Sequence, residues 1–202
     1  MDPEFIIVRA ATQAFYDANE IVRLIDILRA GNNPDVFPEI NRRKVGPTVI
    51  TIQNSLFTRL HMVVCRHYMH VRSGDFSARA AFEALDDPDA YQKVIDVGAD
   101  KKLLDEVRLM WRIYSKDPNI AAYIHLRNKF VAHLSDEDPS IKKPLVREIF
   151  EIAETSARLF DQLARAVHAT TTDFEFERKE QLKSAQAFWG IWKGSPSESN
   201  QT

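Results

Sequence analysis

Between Ile124 and Leu134 the chain reads IHLRNKFVAHL, which sets an arginine, an asparagine, a lysine and two histidines among apolar residues. A guanidinium is a permanently charged planar fork suited to clamping phosphate oxygens, an amide can orient one, and an imidazole can move a proton near neutral pH. Arg127, Asn128 and His133 are therefore the candidate catalytic set of a phosphate-handling site, with Lys129 and His125 as candidate substrate-binding neighbours. A structural role is the competing explanation: Arg127 paired with an acid and His133 bonded to a carbonyl at a helix end.

Spacing sets a geometric problem. At about 100° per residue His125, Lys129 and His133 form one stripe, whereas Arg127 and His133 diverge by about 120°. An undistorted helix cannot close both onto one small substrate. Either the helix bends, or His133 sits past its last turn, or a second chain supplies the other half of the site. The apolar members Leu126, Phe130 and Leu134 form a packing stripe, extended by Ile124 and Val131.

A second polar line lies upstream. Ser55, Arg59, Arg66 and His70 recur at intervals of four, seven and four and stay within about 40° of each other on a helix. Such a line is either a solvated face or the wall of a phosphate-binding cleft, so Arg59, Arg66 and His70 join the candidate substrate-binding residues. His61, His67 and His70 have no carboxylate or thiol at a spacing that completes a metal set, and neither metal nor cofactor is expected. His168, near a helix end, is explained by a hydrogen bond or by the helix dipole. The basic triplet Arg42, Arg43, Lys44 beside Gly46 and Pro47 is a solvated turn or a local source of positive potential.

These residues must be held by helices. Apolar residues three and four apart mark Ile6 to Ala30, from Val8 to Leu28, and Gly31, Asn32, Asn33, Pro34 and Pro38 break that run. A second helix follows Pro47 to about Val71 and buries Ile52, Leu56, Leu60, Val63 or Val64, and Cys65. A short segment runs through Ala84. Helices over Pro88 to Val97 and Ala99 to Tyr114 come next, the latter with Leu103, Val107, Met110 and Trp111 inward. Asp117 and Pro118 open the helix that carries the central stretch. After the acidic turn SDEDPS, Pro144 to about Val167 is the cleanest amphipathic run and reads as the central helix of a bundle. A weaker helix spans Asp173 to Trp192, and SPSESNQT is expected to be a disordered tail. No β-alternation persists, so the expected fold is all-α, a bundle of four or five long helices with short ones between them.

Composition narrows the function classes. A chain of 202 residues is long enough for a core without disulfides, and its formal charge of −2 does not suit a protein that coats nucleic acid along its whole surface. The single cysteine, Cys65 in HMVVC, reads as a buried thiol in a reducing, cytoplasmic setting. No run is apolar enough to cross a membrane. The opening Met-Asp-Pro-Glu-Phe is what adjoining cloning sites encode, so residues 1–5 read as a cloning remnant.

LRNKFVAHL resembles the R-x(4–6)-H motif of the HEPN superfamily, in which an arginine is followed by a polar residue and a histidine closes the motif. The form RNKxxAH, preceded by a long helix pair and followed by an amphipathic helix, looks most like the HEPN domain of AbiU2-type phage abortive-infection proteins. The resemblance covers most of Ile6 to Thr170, leaving 171–193 as an additional helix packed on the domain or on a partner, and 194–202 as tail. It implies a helical bundle that dimerises with its motif helices facing, and a metal-independent endoribonuclease of a toxin–antitoxin or phage-defence system. The implied partners are RNA, a second copy of the chain and a cognate antitoxin protein. Dimerisation would also answer the angular mismatch between Arg127 and His133. Other HEPN proteins bind ligands or partners and cut nothing. A non-catalytic HEPN module therefore stands beside the nuclease, and outside the resemblance stands a helical scaffold whose polar residues only satisfy an interface.

Overall fold

The structure is a computed structural model that describes residues 3–72, 74–127 and 144–193. Every regular element among them is helical, so the fold is all-α as the periodicity predicts. In order they are α1 (Pro3–Gly31), a 3₁₀ turn (Pro34–Val36), α2 (Phe37–Arg42), α3 (Gly46–Tyr68), α4 (Ala78–Leu85), α5 (Pro88–Asp96), α6 (Lys101–Tyr114), α7 (Pro118–Arg127), α8 (Val146–Ala166) and α9 (Phe174–Gly190).

Local chemistry explains the boundaries. Proline occupies the first turn of α2, α3 and α5, where its missing N–H costs nothing. Side-chain oxygens of Ser77, Asp87, Asp100 and Asp173 accept from the first free N–H groups of α4, α5, α6 and α9. At α8 the Glu148 carboxylate instead reaches back to the Leu145 N–H at 2.7 Å. The stretch 34–42, where Pro34 and Pro38 were expected only to break the first helical run, is helical because each proline also starts a turn.

The most extensively packed helix is α1, which lies against α3, α4, α5, α8 and α9. The amphipathicity of α8 makes it the expected centre, and it does pack on α1, α3, α6 and α7. What lets α1 be surrounded is its row of small residues: Ala10, Ala11, Ala14 and Ala18 are fully buried and allow backbones to approach. Ile7, Phe15, Ile21, Val22 and Ile25 fill the gaps between them. Further round, Trp111 lies between Tyr68 and Phe82, with stacked rings at 5.1 and 4.6 Å, and joins α6 to α3 and α4.

Two expected core positions are corrected. Ile52 on α3 is 44% exposed, and on α6 Leu104 is buried while Met110 is 40% exposed. In both helices the apolar stripe is broader than the face that meets a neighbour, so periodicity alone does not choose which edge is covered. The junction between α5 and α6 is fastened to the end of α8: Asp100 N–H donates to the Ala166 carbonyl at 2.8 Å, and His168 Nε2 donates to the Gly98 carbonyl at 2.9 Å. That bond is the helix-end role foreseen for His168, which adopts a left-handed conformation (φ 51°) to make it.

Candidate functional site

The helix α7, which ends at Arg127, is opened by Asp117, whose carboxylate accepts the Asn119 N–H at 2.8 Å. Ile120 and Tyr123, three apart, are buried, and α7 packs them against α3 and α8. Arg127 follows Tyr123 by four residues and so continues the same side of the helix. It is half-buried, and its charge is felt at Cys65 on α3. Burial pushes the Cys65 thiol up to about 12, and Arg127 pulls it partly back. Cys65 therefore stays a packed thiol at neutral pH. His125 is also half-buried, but two positions from Arg127 it points about 200° away on the helix. Asn128, Lys129 and His133 lie outside the described residues.

Directly under this end of α7 is a buried pair that spacing did not single out. The His61 ring stacks on Tyr123 at 4.6 Å with 16° between planes. His61 Nδ1 donates to the Phe57 carbonyl at 2.9 Å, which leaves Nε2 as a bare acceptor. Neither His61 Nε2 nor the Tyr123 hydroxyl has a hydrogen-bond partner. Burial lowers the His61 pKa, so the ring is neutral, and burial raises the Tyr123 hydroxyl well above its usual value.

The polar line of α3 is held from α1. Arg59 donates to Glu20 through Nε at 2.6 Å and Nη2 at 2.8 Å. Arg66 donates to Asp17, and Asp17 also accepts from His67 Nε2 at 2.7 Å and Gln13 at 3.2 Å. His67 Nδ1 accepts the Ala78 N–H at 2.9 Å, which assigns the ring proton to Nε2 and ties the start of α4 to α1. Burial, and after it the charge of Arg66, lowers the His67 pKa to about 3. His70 is exposed beyond the end of α3, and Ser55 bonds its own helix at the Thr51 carbonyl. The structure thus brings Arg59 and Arg66 to carboxylates of α1. The partners Asp17 and Glu20 escaped notice in sequence. Asp17 falls inside the buried side of α1, and a charged residue on an apolar helix face was the available signal.

Two members of the basic triplet are likewise engaged, since Arg42 and Arg43 both donate to Glu39 at 2.5 Å. Among the described residues no three histidine, cysteine, aspartate or glutamate side chains stand close enough to hold a metal ion. Nor is any described helix long and apolar enough to cross a membrane.

Arg127 is thus a half-buried cation one helical turn along α7 from Tyr123, whose ring stacks on His61. In comparison with known proteins, a family model described as HEPN_AbiU2 (AbiU2) matches residues 7–188. No curated protein and no solved structure matches the chain.

Proposed function

Because the chain belongs to the AbiU2 family of HEPN domains, we propose that it is a metal-independent endoribonuclease of a toxin–antitoxin or phage-defence system. The RNA 2′-oxygen gives up its proton and attacks the adjacent phosphorus, the P–O5′ bond breaks, and the 5′-oxygen leaves with a proton. The products are a 2′,3′-cyclic phosphate and a 5′-hydroxyl. His133 transfers protons, Arg127 neutralises charge that builds on the phosphoryl oxygens, and Asn128 orients the phosphate. Lys129 and His125 line the approach of the RNA. Two copies of the chain form the cleft, so that one His133 serves as base and its counterpart as acid, and an antitoxin protein masks it.

The observation that carries this reading is the position of Arg127: half-buried, on the α7 side that packs against α3, with its charge reaching Cys65. The family match spans the whole of the Arg127 to His133 motif.

A second reading is favoured by a different observation. Arg59 and Arg66 are each already engaged with a carboxylate of α1. A module that binds a partner protein, or holds RNA through other groups, without cutting it has no need of a strongly positive wall here.

One experiment separates the two. A labelled RNA pool is incubated with the protein in chelator, and the ends of any fragments are analysed. Cleavage with cyclic-phosphate ends is expected at an undiminished rate. RNA retained without cleavage would establish the second reading, and activity restored only by added divalent metal would overturn the mechanism.

A further inference from the structure

A pocket of about 280 Å³ opens where the end of α1, the middle of α3 and the start of α8 meet. Leu28, Asn32, Asn54, Phe57, Val146 and Phe150 line it, and none of its described lining residues is charged. Its volume falls just below the roughly 300 to 1,000 Å³ of sites for drug-sized ligands. A single flat ring system is the kind of group that such a space admits.

The wall combines aromatic rings with side-chain amides. Phe57 and Phe150 stand edge to face, with ring centres 6.4 Å apart and planes at 74°. Both are half-buried, so each keeps part of its ring open to solvent. Arg29 lies over the Phe150 ring at 5.3 Å and is itself held by Glu154. Gln53 donates to the Gly31 carbonyl at 3.1 Å, which fixes that side chain beside the pocket. Asn32 and Asn54 are exposed, and among the described residues their side-chain amides make no hydrogen bond. Each therefore has a donor N–H and an acceptor oxygen to offer a ligand. The pocket also adjoins the candidate site. The Phe57 ring meets His61 at 4.6 Å, and His61 stacks on Tyr123, one helical turn from Arg127.

A wall with aromatic surface and donor–acceptor amides but no charge selects a neutral, flat molecule with a polar edge. A charged ligand would find no counter-charge among the lining residues, and a purely aliphatic one would leave the amides unused. A nucleobase has the required form, since its face packs on aromatic rings while its edge pairs with an amide. Adenine sets a donor beside an acceptor on both of its polar edges, N6–H next to N7 and next to N1, and an amide meets such a pair with two hydrogen bonds. We propose that this pocket receives an unpaired adenine of the RNA substrate, close to the phosphate that meets Arg127. The assignment to RNA rests on the nuclease function proposed above, whereas the preference for adenine rests on the pocket alone.

The test uses the full chain and fluorescent oligoribonucleotides methylated at every 2′-oxygen, which lack the attacking hydroxyl and stay intact. One strand is all uridine, and the other carries a single central adenosine. Anisotropy titration is expected to show the adenosine strand binding at least about fivefold more tightly, the low end for one two-pronged amide contact. Asn54→Ala removes an amide, and Val146→Phe fills the pocket from a position that is 57% exposed. Each should abolish the preference, and because both positions are exposed the Tm should stay near that of the parent. A wild-type protein that binds both strands alike, or neither, overturns the proposal, as does a preference that survives both substitutions. Free adenosine that binds saturably while the two strands bind alike would give the pocket to a free nucleoside and overturn its assignment to RNA. Unmethylated strands then separate this inference from the nuclease reading. Cutting with no preference for adenine removes the pocket and leaves the nuclease, whereas a preference in binding with no cutting leaves the pocket and removes the nuclease.

Discussion

At the scale of the residue, the mechanism we propose assigns each motif side chain a role that substitution can read. His133→Ala and Arg127→Ala are each expected to lower RNA cleavage by about 100-fold to 10,000-fold, the range for loss of positioned proton transfer or charge stabilisation. Lys129→Ala should cost less and make binding more sensitive to salt. Cleavage of labelled RNA measured beside thermal unfolding checks all three, and parental activity in His133→Ala would remove the assignment. A second residue-scale expectation concerns His67. Its pKa is lowered to about 3 by burial and by Arg66, whereas a histidine in an unfolded chain titrates near 6.5. Between those values the unfolded chain binds the extra proton and the folded one does not. The stabilisation is therefore complete above about 6.5 and is lost as pH falls toward 3. Urea unfolding from neutral pH down to about pH 4 should show midpoints that fall with pH, with a shallower fall in His67→Gln. Equal slopes in the two proteins would remove His67 as the source.

At the scale of the element, α9 depends on a close approach that only glycine permits. A Cβ on Gly31 would lie 2.5 and 2.6 Å from ring carbons of Trp189. That ring is buried with Val36, Ile40 and Val49, so moving it away from a new methyl would disturb their packing. Gly31→Ala should therefore destabilise the protein by about 1 to 3 kcal/mol through overpacking. Combined with Trp189→Phe, whose smaller ring leaves space, the substitution should cost less than the sum of the single changes. Thermal denaturation of the two single variants and the double variant completes the cycle, and strict additivity would mean that the contact is not where the cost arises. The exposed pair Arg59 and Glu20, by contrast, is worth about 0 to 1 kcal/mol, so Arg59→Ala should leave Tm nearly unchanged.

At the scale of the whole molecule, the open question is how a chain of net charge −2 gathers positive potential. Among the described residues most arginines are engaged with carboxylates of the same chain, so a single copy offers RNA little field. A homodimer that sets two Arg127 residues at one cleft would concentrate charge locally without changing the total. Light scattering over a range of protein concentrations is expected to report twice the chain mass, with activity confined to that species. A monomer that cleaves RNA at full rate would dismiss the composite site.

Much of this could be read from the chain before any tertiary contact was known. Periodicity and punctuation established the all-α class and the approximate limits of α1, α3, α6, α8 and α9, because helix formation and termination depend on residues within a few positions of each other. The motif Arg127 to His133 was legible for the same reason, as a pattern of residue types along one stretch. Three features were decided only by folding. The central place of α1 comes from alanines whose value lies in what approaches them. The engagement of Arg59 and Arg66 comes from carboxylates at Glu20 and Asp17, about forty and fifty residues away in sequence. The stack of His61 on Tyr123 joins residues of separate helices. Such pairings depend on the relative rotation and translation of whole helices, which the packing of the complete core selects and no local pattern encodes.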